Sequence, residues 1–370
     1  MPYVAKNVSH VLATGQSLST GATSTATSLT QPYANLMLAG GVQAINSYSN
    51  AFVPLVEATT ETMSSAMANM VTSLLPAHVM LVSVHGQGAT AYAGLAKGSV
   101  PYGIGINQAQ GGFTRAGLAG QSYVVRMVTC VHGESDSSPI NTHYAADIIQ
   151  WQQDYQADVR TITGQADAVP MLHSQNSTAN GSTIPLQMLQ AHIAAPGKVV
   201  LVGPKYHVPY NDGLHLATAG YRRIGEDYAR AYKRIIVDGL PWEPLRPKTV
   251  TRAGAVITIV YYVPSPPIVL DTTRVAAAVN YGFGFVNDAS TPAAQPAAGI
   301  APAISSVAVV APDTIQITLA SVPAAPCRVR YAIDYVDFPL RGNLRDSDTT
   351  VSRFGFDLFN WGVSFEAYLP

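Results

Sequence analysis

Apolar and polar positions follow two different rhythms along this chain. Over residues 8–238, short and almost wholly apolar runs alternate with longer stretches of helical period. The apolar runs fall at residues 8–14, 79–84, 123–131 and 198–202, with a weaker one beginning at 170–172. Uninterrupted apolar runs of this length, bounded by turn residues, predict strands buried on both faces, as in a parallel sheet. Between them, residues 141–163 place Ala145, Ile148, Ile149, Tyr155 and Val159 on one helical face. Residues 218–237 do the same with Tyr221, Ile224, Tyr228, Tyr232 and Ile235. Strands separated by helices predict an α/β unit with three layers, α/β/α, around a parallel five-stranded sheet of flavodoxin-like type.

Beyond Pro241 the helical period disappears. Pro241, Pro244 and Pro247 mark a linker, and short strand-like runs follow at 255–263, 304–310, 314–319 and 328–335. Residues 287–302, rich in Ala, Pro and Ser, predict a long loop. This half of the pattern predicts a small β-sandwich. The expected division is therefore a domain over 1–240, a Pro-rich linker over 241–250 and an accessory β-sandwich domain over 251–370. No internal repeat stands out.

Composition narrows the chemistry. The chain has 370 residues, 48% of them hydrophobic, and a formal net charge of −1. That balance gives no reason to expect nucleic acid or an anionic membrane surface as partner. Charged residues are only 12% of the total, and Ser, Thr, Ala, Gly and Asn take their place. A neutral, hydroxyl-rich surface of this kind is common in extracellular and virion-borne proteins, which sets that expectation for compartment while the cytoplasm stays open as the alternative. The opening residues Met1 to Lys6 lack the charged and apolar regions of a signal peptide, and no stretch approaches a membrane span. Cys130 and Cys327 fall in different predicted domains and read as two buried free thiols. No Cys/His cluster has metal-ligand spacing.

Three segments carry chemistry: Gly15-Gln16-Ser17, Gly133-Glu134-Ser135-Asp136 and Asp212-Gly213-Leu214-His215. Ser17 follows the first strand, at the carboxyl end of the expected sheet, where α/β folds gather ligands. A serine hydroxyl needs a base to take its proton, and the base needs an acidic partner to fix its tautomer. Asp212 and His215, three residues apart on one loop before the last helix, can serve as that acid and base. Taken singly, Ser17 reads as a helix N-cap, Asp212 as a turn residue and His215 as a structural histidine; their joint occurrence favours catalysis.

This combination resembles the SGNH (GDSL-like) hydrolase superfamily, in the branch of sialate O-acetylesterases and acetyl-xylan esterases. The resemblance spans nearly all of residues 8–238 and is specific in the three blocks. It implies Ser17 as nucleophile, with Asp212 and His215 as its partners. It also implies an oxyanion hole made by the Ser17 amide and a second-block glycine, Gly88, with Gly86 as runner-up. The third block departs from the pattern, because His132 stands where relatives carry Gln. His132 is expected either to supply the missing oxyanion donor, with a pH dependence an amide lacks, or to brace the loop. Gln16, Gly133 and Glu134 are expected to support the site, Glu134 as a buried brace.

The resemblance further implies two-step acyl transfer without metal or organic cofactor. The expected substrate is an O-acetylated saccharide or polysaccharide, and homo-oligomerisation or other assembly would run through the C-terminal domain. A broad short-chain carboxylesterase is one rival; a non-catalytic glycan-binding or virion-surface protein on the same fold is another. Several features are set aside. Ser122 repeats the Gly-Gln-Ser triplet but precedes a strand. His85, His173 and His207 read as structural. The sequons at Asn176 and Asn180 read as chance. Trp361 reads as a core residue before a sugar platform.

Overall fold

The protein is described here from a computed structural model covering residues 3–45, 51–178, 181–286, 303–323, 326–334 and 338–369. Its first part contains β1 (Val8–Gly15), β2 (Leu36–Leu38), β3 (Phe52–Pro54), α1 (Ser64–Leu74) and β4 (Met80–Val84). There follow α2 (Val100–Leu118), β5 (Tyr123–Val131), α3 (Tyr144–Thr163), β6 (Met171–Gln175), α4 (Ile184–Ala194), β7 (Val199–Pro204) and α5 (Thr218–Tyr232). A π-helical turn, Lys233–Val237, continues α5.

These strands form one sheet in the order β3-β2-β4-β1-β5-β6-β7. The five predicted strands are all parallel and are arranged second-first-third-fourth-fifth in chain order, a doubly wound order of flavodoxin type. The expectation of a five-stranded sheet is corrected to seven. β2 joins β4 in parallel, and β3 closes that edge antiparallel. Each is three residues long, too short for any hydrophobic period to announce it.

Both faces of the sheet are covered. Val11 and Ala13 of β1 pack into one apolar cluster with α1 and α5, including Met67, Val71, Tyr221 and Tyr228. Leu12, pointing the other way, packs with Tyr102, Trp151, Tyr155 and Met188 of α2, α3 and α4. All eight residues of β1 are buried. Its polar His10 is accommodated by hydrogen bonds to Ser83 Oγ (2.8 Å) and Tyr123 Oη (2.6 Å).

The second part is all-β. β8 (Arg246–Ala253), β9 (Val256–Tyr262), β12 (Ile304–Ala311) and β13 (Thr314–Leu319) make a four-stranded antiparallel sheet. β11 (Phe283–Val286), β14 (Cys327–Tyr331) and β16 (Phe365–Leu369) make a three-stranded one, and the short β10 (Val269–Leu270) and β15 (Leu344–Arg345) pair separately. The two larger sheets share an apolar cluster: Ile257, Ile259 and Ile317 from one meet Val329, Tyr331 and Phe365 from the other, joined by Leu201 and Tyr206 of the first part.

Two expectations change here. The span 241–250 is not a free linker: Trp242 and Leu245 are buried, and β8 already begins at Arg246. The chain also returns to the first part near its end. Leu358 joins the cluster under α1 and α5. Asp348 pairs with Arg230 of α5 (2.8 Å), and the Arg353 amide bonds Glu226 (2.7 Å). Trp361 is buried and stacks on His207 with ring centroids 6.1 Å apart. Cys130 and Cys327 are buried free thiols. Asn176 is buried, whereas Asn180 and the expected loop at 287–302 lie outside the described residues. Among the described residues, no helix is long and apolar enough to cross a membrane, and no group of His, Cys, Asp and Glu is placed to hold a metal ion.

Candidate active site

β1 ends at Gly15, whose φ of +128° belongs to glycine; a Cβ there would overlap the Val131 carbonyl oxygen of neighbouring β5. This close approach brings the turn after β1 beside the turn after β5, at the reversal point of strand order where α/β sheets open a crevice. Ser17 stands in the first turn. Its carbonyl accepts from the Thr20 amide (3.2 Å) and the Ala22 amide (3.1 Å), which fixes the turn.

The loop after β7 brings the other two residues. His215 Nε2 lies 2.9 Å from Ser17 Oγ, and His215 Nδ1 lies 2.9 Å from Asp212 Oδ2. Asp212 Oδ1 also accepts the amides of His215 (2.6 Å) and Leu214 (2.7 Å), so the carboxylate shapes the loop that carries the histidine. The His215 amide, foremost, holds the Asp212 carboxyl below the usual aspartate range. Asn211 Nδ2 donates to the Thr23 carbonyl (2.8 Å) and Tyr221 Oη to the Ala22 carbonyl (3.0 Å). These bonds clamp the acid/base loop and α5 against the serine turn. A hydroxyl, an imidazole and a carboxylate in this chain can relay a proton away from Ser17 Oγ while the negative partner stabilises the resulting imidazolium.

Two glycines of the second block are distinguished by their surroundings. A Cβ on Gly86 would overlap Ser19 Oγ and stand 2.7 Å from the Gly15 carbonyl oxygen, so Gly86 is packed behind the serine turn. A Cβ on Gly88 would stand 3.7 Å from Ser17 Cβ. Gly88 therefore lines the front of the site, and its amide, like that of Ser17, is not engaged by another group among the described residues.

His132 departs from the donor role. It is fully buried. Its Nε2 lies 3.0 Å from the Thr90 carbonyl, to which it must donate, and its Nδ1 lies 2.6 Å from Tyr144 Oη, which must donate to it. Both ring nitrogens are thus committed, and burial lowers its pKa, so the ring is a neutral brace between β5, α3 and the Thr90 loop. The oxyanion expectation for His132 is corrected accordingly: the residue after Val131 continues the buried alternation of β5 and never faces the site.

The support residues meet one another. Gln16 is buried, and its Oε1 accepts the Ser135 amide (3.0 Å), tying the first block to the third. Gly133 has φ +122°, which lets the chain turn between Ile184 and Met188. Glu134 points inward to Lys205 Nζ, 3.0 Å away, and both side chains are buried. Lys205 was invisible to sequence reasoning. The one signal is a lysine directly after the apolar run of β7. Asp136 accepts from the Tyr92 amide (2.8 Å) and Asn141 Nδ2 (2.9 Å) and is spent on loop structure. The set-aside residues lie elsewhere: Ser122 bonds Asn7, and His85 bonds Tyr155 and Gln108, its pKa lowered to about 4 by burial.

The comparisons with known proteins bear on the fold. No protein-family model matches the chain, and no curated protein sequence matches it. Among solved structures, a carbohydrate acetylesterase from Xanthomonas citri is similar over 97% of this chain and 80% of its own, at 14% identity and a TM-score of 0.60. A protein from Arabidopsis thaliana is similar over 61% of this chain and 98% of its own, at 18% identity and a TM-score of 0.47. NanS is similar over 62% of this chain and 98% of its own, at 10% identity and a TM-score of 0.45. The chain shares the fold of the Xanthomonas citri enzyme over nearly its whole length.

Proposed function

We propose that this protein is a serine esterase that removes O-acetyl groups from carbohydrate. We read it as a three-layer α/β/α hydrolase unit, ending near residue 240, with a β-sandwich behind it that begins at β8. The observation that carries the reading is the unbroken hydrogen-bonded chain from Ser17 Oγ through His215 to Asp212, with 2.9 Å at each step. The solved carbohydrate acetylesterase of like fold supports the choice of substrate class.

In the proposed reaction, Ser17 Oγ attacks the acetyl carbonyl and its proton passes to His215 Nε2. Asp212, ionised, holds Nδ1–H and stabilises the imidazolium. The oxyanion is met by the amides of Ser17 and Gly88, where each preorganised donor is worth roughly 10²–10³ in rate. His215 then gives its proton to the leaving sugar hydroxyl, and acetyl-Ser17 remains. Water attacks that ester, with His215 again taking the proton, and acetate leaves as Ser17 Oγ is reprotonated. Every atom and proton is accounted for by these three side chains and water.

Hydrolysis of p-nitrophenyl acetate and p-nitrophenyl butyrate by the wild type, Ser17→Ala and Asp212→Asn tests the reading. Acetate-preferring turnover should vanish in Ser17→Ala. Asp212→Asn, whose amide would turn the imidazole to the wrong tautomer, should slow it by up to about 10⁴-fold. Wild-type turnover no higher than that of Ser17→Ala on both esters and on acetylated polysaccharide would overturn it.

A further inference from the structure

A second concavity opens beside the serine turn. It has a volume of about 510 Å³ and is lined by Thr20, Ala22, Gly41, Gln43, Thr59 and Thr60 among others, a size that suits one or two sugar rings. Its position is set by hydrogen bonds. Thr20 and Ala22 are the residues whose amides hold the Ser17 carbonyl. The Val42 carbonyl accepts the Val84 amide (2.8 Å), at the end of the strand that leads to Gly88. Thr60 Oγ1 (2.8 Å) and Gln43 Nε2 (3.5 Å) both reach the Thr20 carbonyl, so the two walls are joined across the floor. The groove therefore abuts the turn that carries the nucleophile and the end of β4 that leads to Gly88.

The lining carries no charge: threonine hydroxyls and the Gln43 amide stand among alanines, glycines and Val42. Between Lys6 and Lys97 the sequence contains no Lys or Arg, and its acids are Glu57 and Glu61 alone. Both are buried and turned to other partners: Glu57 to Thr62 and Ser65, Glu61 to Thr27, Ser28 and Arg222. A substrate carboxylate in this groove would lose water and meet no cation, a cost without compensation. Sugar hydroxyls would meet threonine hydroxyls, the Gln43 amide and backbone groups, which both donate and accept.

We infer that this groove holds the saccharide portion of the substrate and selects an uncharged sugar over a carboxylated one. The inference rests on the esterase reading for its substrate class, but its test does not depend on turnover. Thr59→Trp and Ala58→Trp, both at exposed positions, would fill the groove without touching the triad. In a Ser17→Ala background, calorimetric titration with an acetylated neutral oligosaccharide, such as an acetylated xylo-oligosaccharide, should show binding that weakens at least about tenfold when either tryptophan is added. O-acetylated sialic acid should bind Ser17→Ala at least about tenfold more weakly than the neutral sugar. In the otherwise wild-type enzyme, either tryptophan should lower kcat/KM on the neutral saccharide ester while p-nitrophenyl acetate stays within about twofold. Undiminished saccharide binding in both tryptophan variants, no binding of the neutral sugar by Ser17→Ala, or preference for the sialate would overturn the inference. Loss of p-nitrophenyl acetate turnover in the wild type would instead count against the esterase reading.

Discussion

Lys205 Nζ stands 3.0 Å from Glu134 Oε1, with the two side chains 0% and 4% exposed. The same ammonium donates to the Gln175 carbonyl (3.2 Å), and Gln175 exchanges hydrogen bonds with Ser364 beside β16, 2.9 Å to its carbonyl and 2.7 Å from its amide. An ion pair taken out of water is stable only when each charge keeps its partner. The third block of the site is therefore held from behind by a lysine on the β7–α5 loop, and that lysine is held in turn by β6 and the C-terminal part.

Removing one half of this pair should be much worse than removing both. Lys205→Met leaves the Glu134 carboxylate buried and alone, with an expected loss of about 3–5 kcal/mol. Glu134→Gln combined with Lys205→Met should recover a good part of that loss. Chemical denaturation of the two single variants and the double variant checks this; simple additivity of the single losses would contradict it.

The second-block glycines should differ in how a methyl group affects stability. Gly86→Ala must push its Cβ into Ser19 Oγ and the Gly15 carbonyl, and should cost both stability and activity. Gly88→Ala meets ordinary contact at 3.7 Å from Ser17 Cβ, so its Tm should stay near wild type while kcat on p-nitrophenyl acetate falls. Thermal melts beside steady-state kinetics separate the two outcomes.

Glu57 offers a pH dependence whose sign can be worked out. Burial raises its pKa to about 7, above the ordinary glutamate range, against the hydrogen bonds from Ser65 and Thr62. Between the unfolded pKa of about 4.3 and the folded value, the folded state keeps a proton that the unfolded chain has lost. Stability should thus decline as pH rises through that window and level off above it. Glu57→Gln, which does not ionise, should flatten this slope, as denaturant midpoints measured at intervals from pH 4.5 to 8 would reveal.

A fragment ending at residue 240 should fold poorly. It would strip α5 of its Arg230–Asp348 pair and of the Arg353 amide on Glu226, and remove Leu358 from the main core. The expected result is aggregation or a markedly lower Tm than the whole chain; a soluble fragment with undiminished esterase activity would count against it.

The five parallel strands were legible because a strand covered on both faces has no polar side to break its apolar run. β5 appears over the predicted residues, Tyr123–Val131, and β13 likewise as Thr314–Leu319. β2 and β3 were not legible, since three residues carry no period and pair only because β4 offers an open edge. The seam near residue 241 is legible from the prolines and the loss of helical period, which mark where helix ends but not that Trp242 and Leu245 are drawn inward.

By itself, the sequence determined which residues could do acyl-transfer chemistry and in what order the sheet would present them. Ser17, Asp212 and His215 are recognisable as candidates because a hydroxyl, an imidazole and a carboxylate together can perform acyl transfer, and because strand ends deliver them to one edge. Tertiary structure alone decided which neighbours help. His132 sits one residue before Gly133, yet the alternation of β5 buries it against Tyr144 and Thr90. Lys205 and Glu134 meet only because two separate loops fold onto each other. Such contacts depend on distances between parts remote in the chain, and no local pattern of residues encodes those distances.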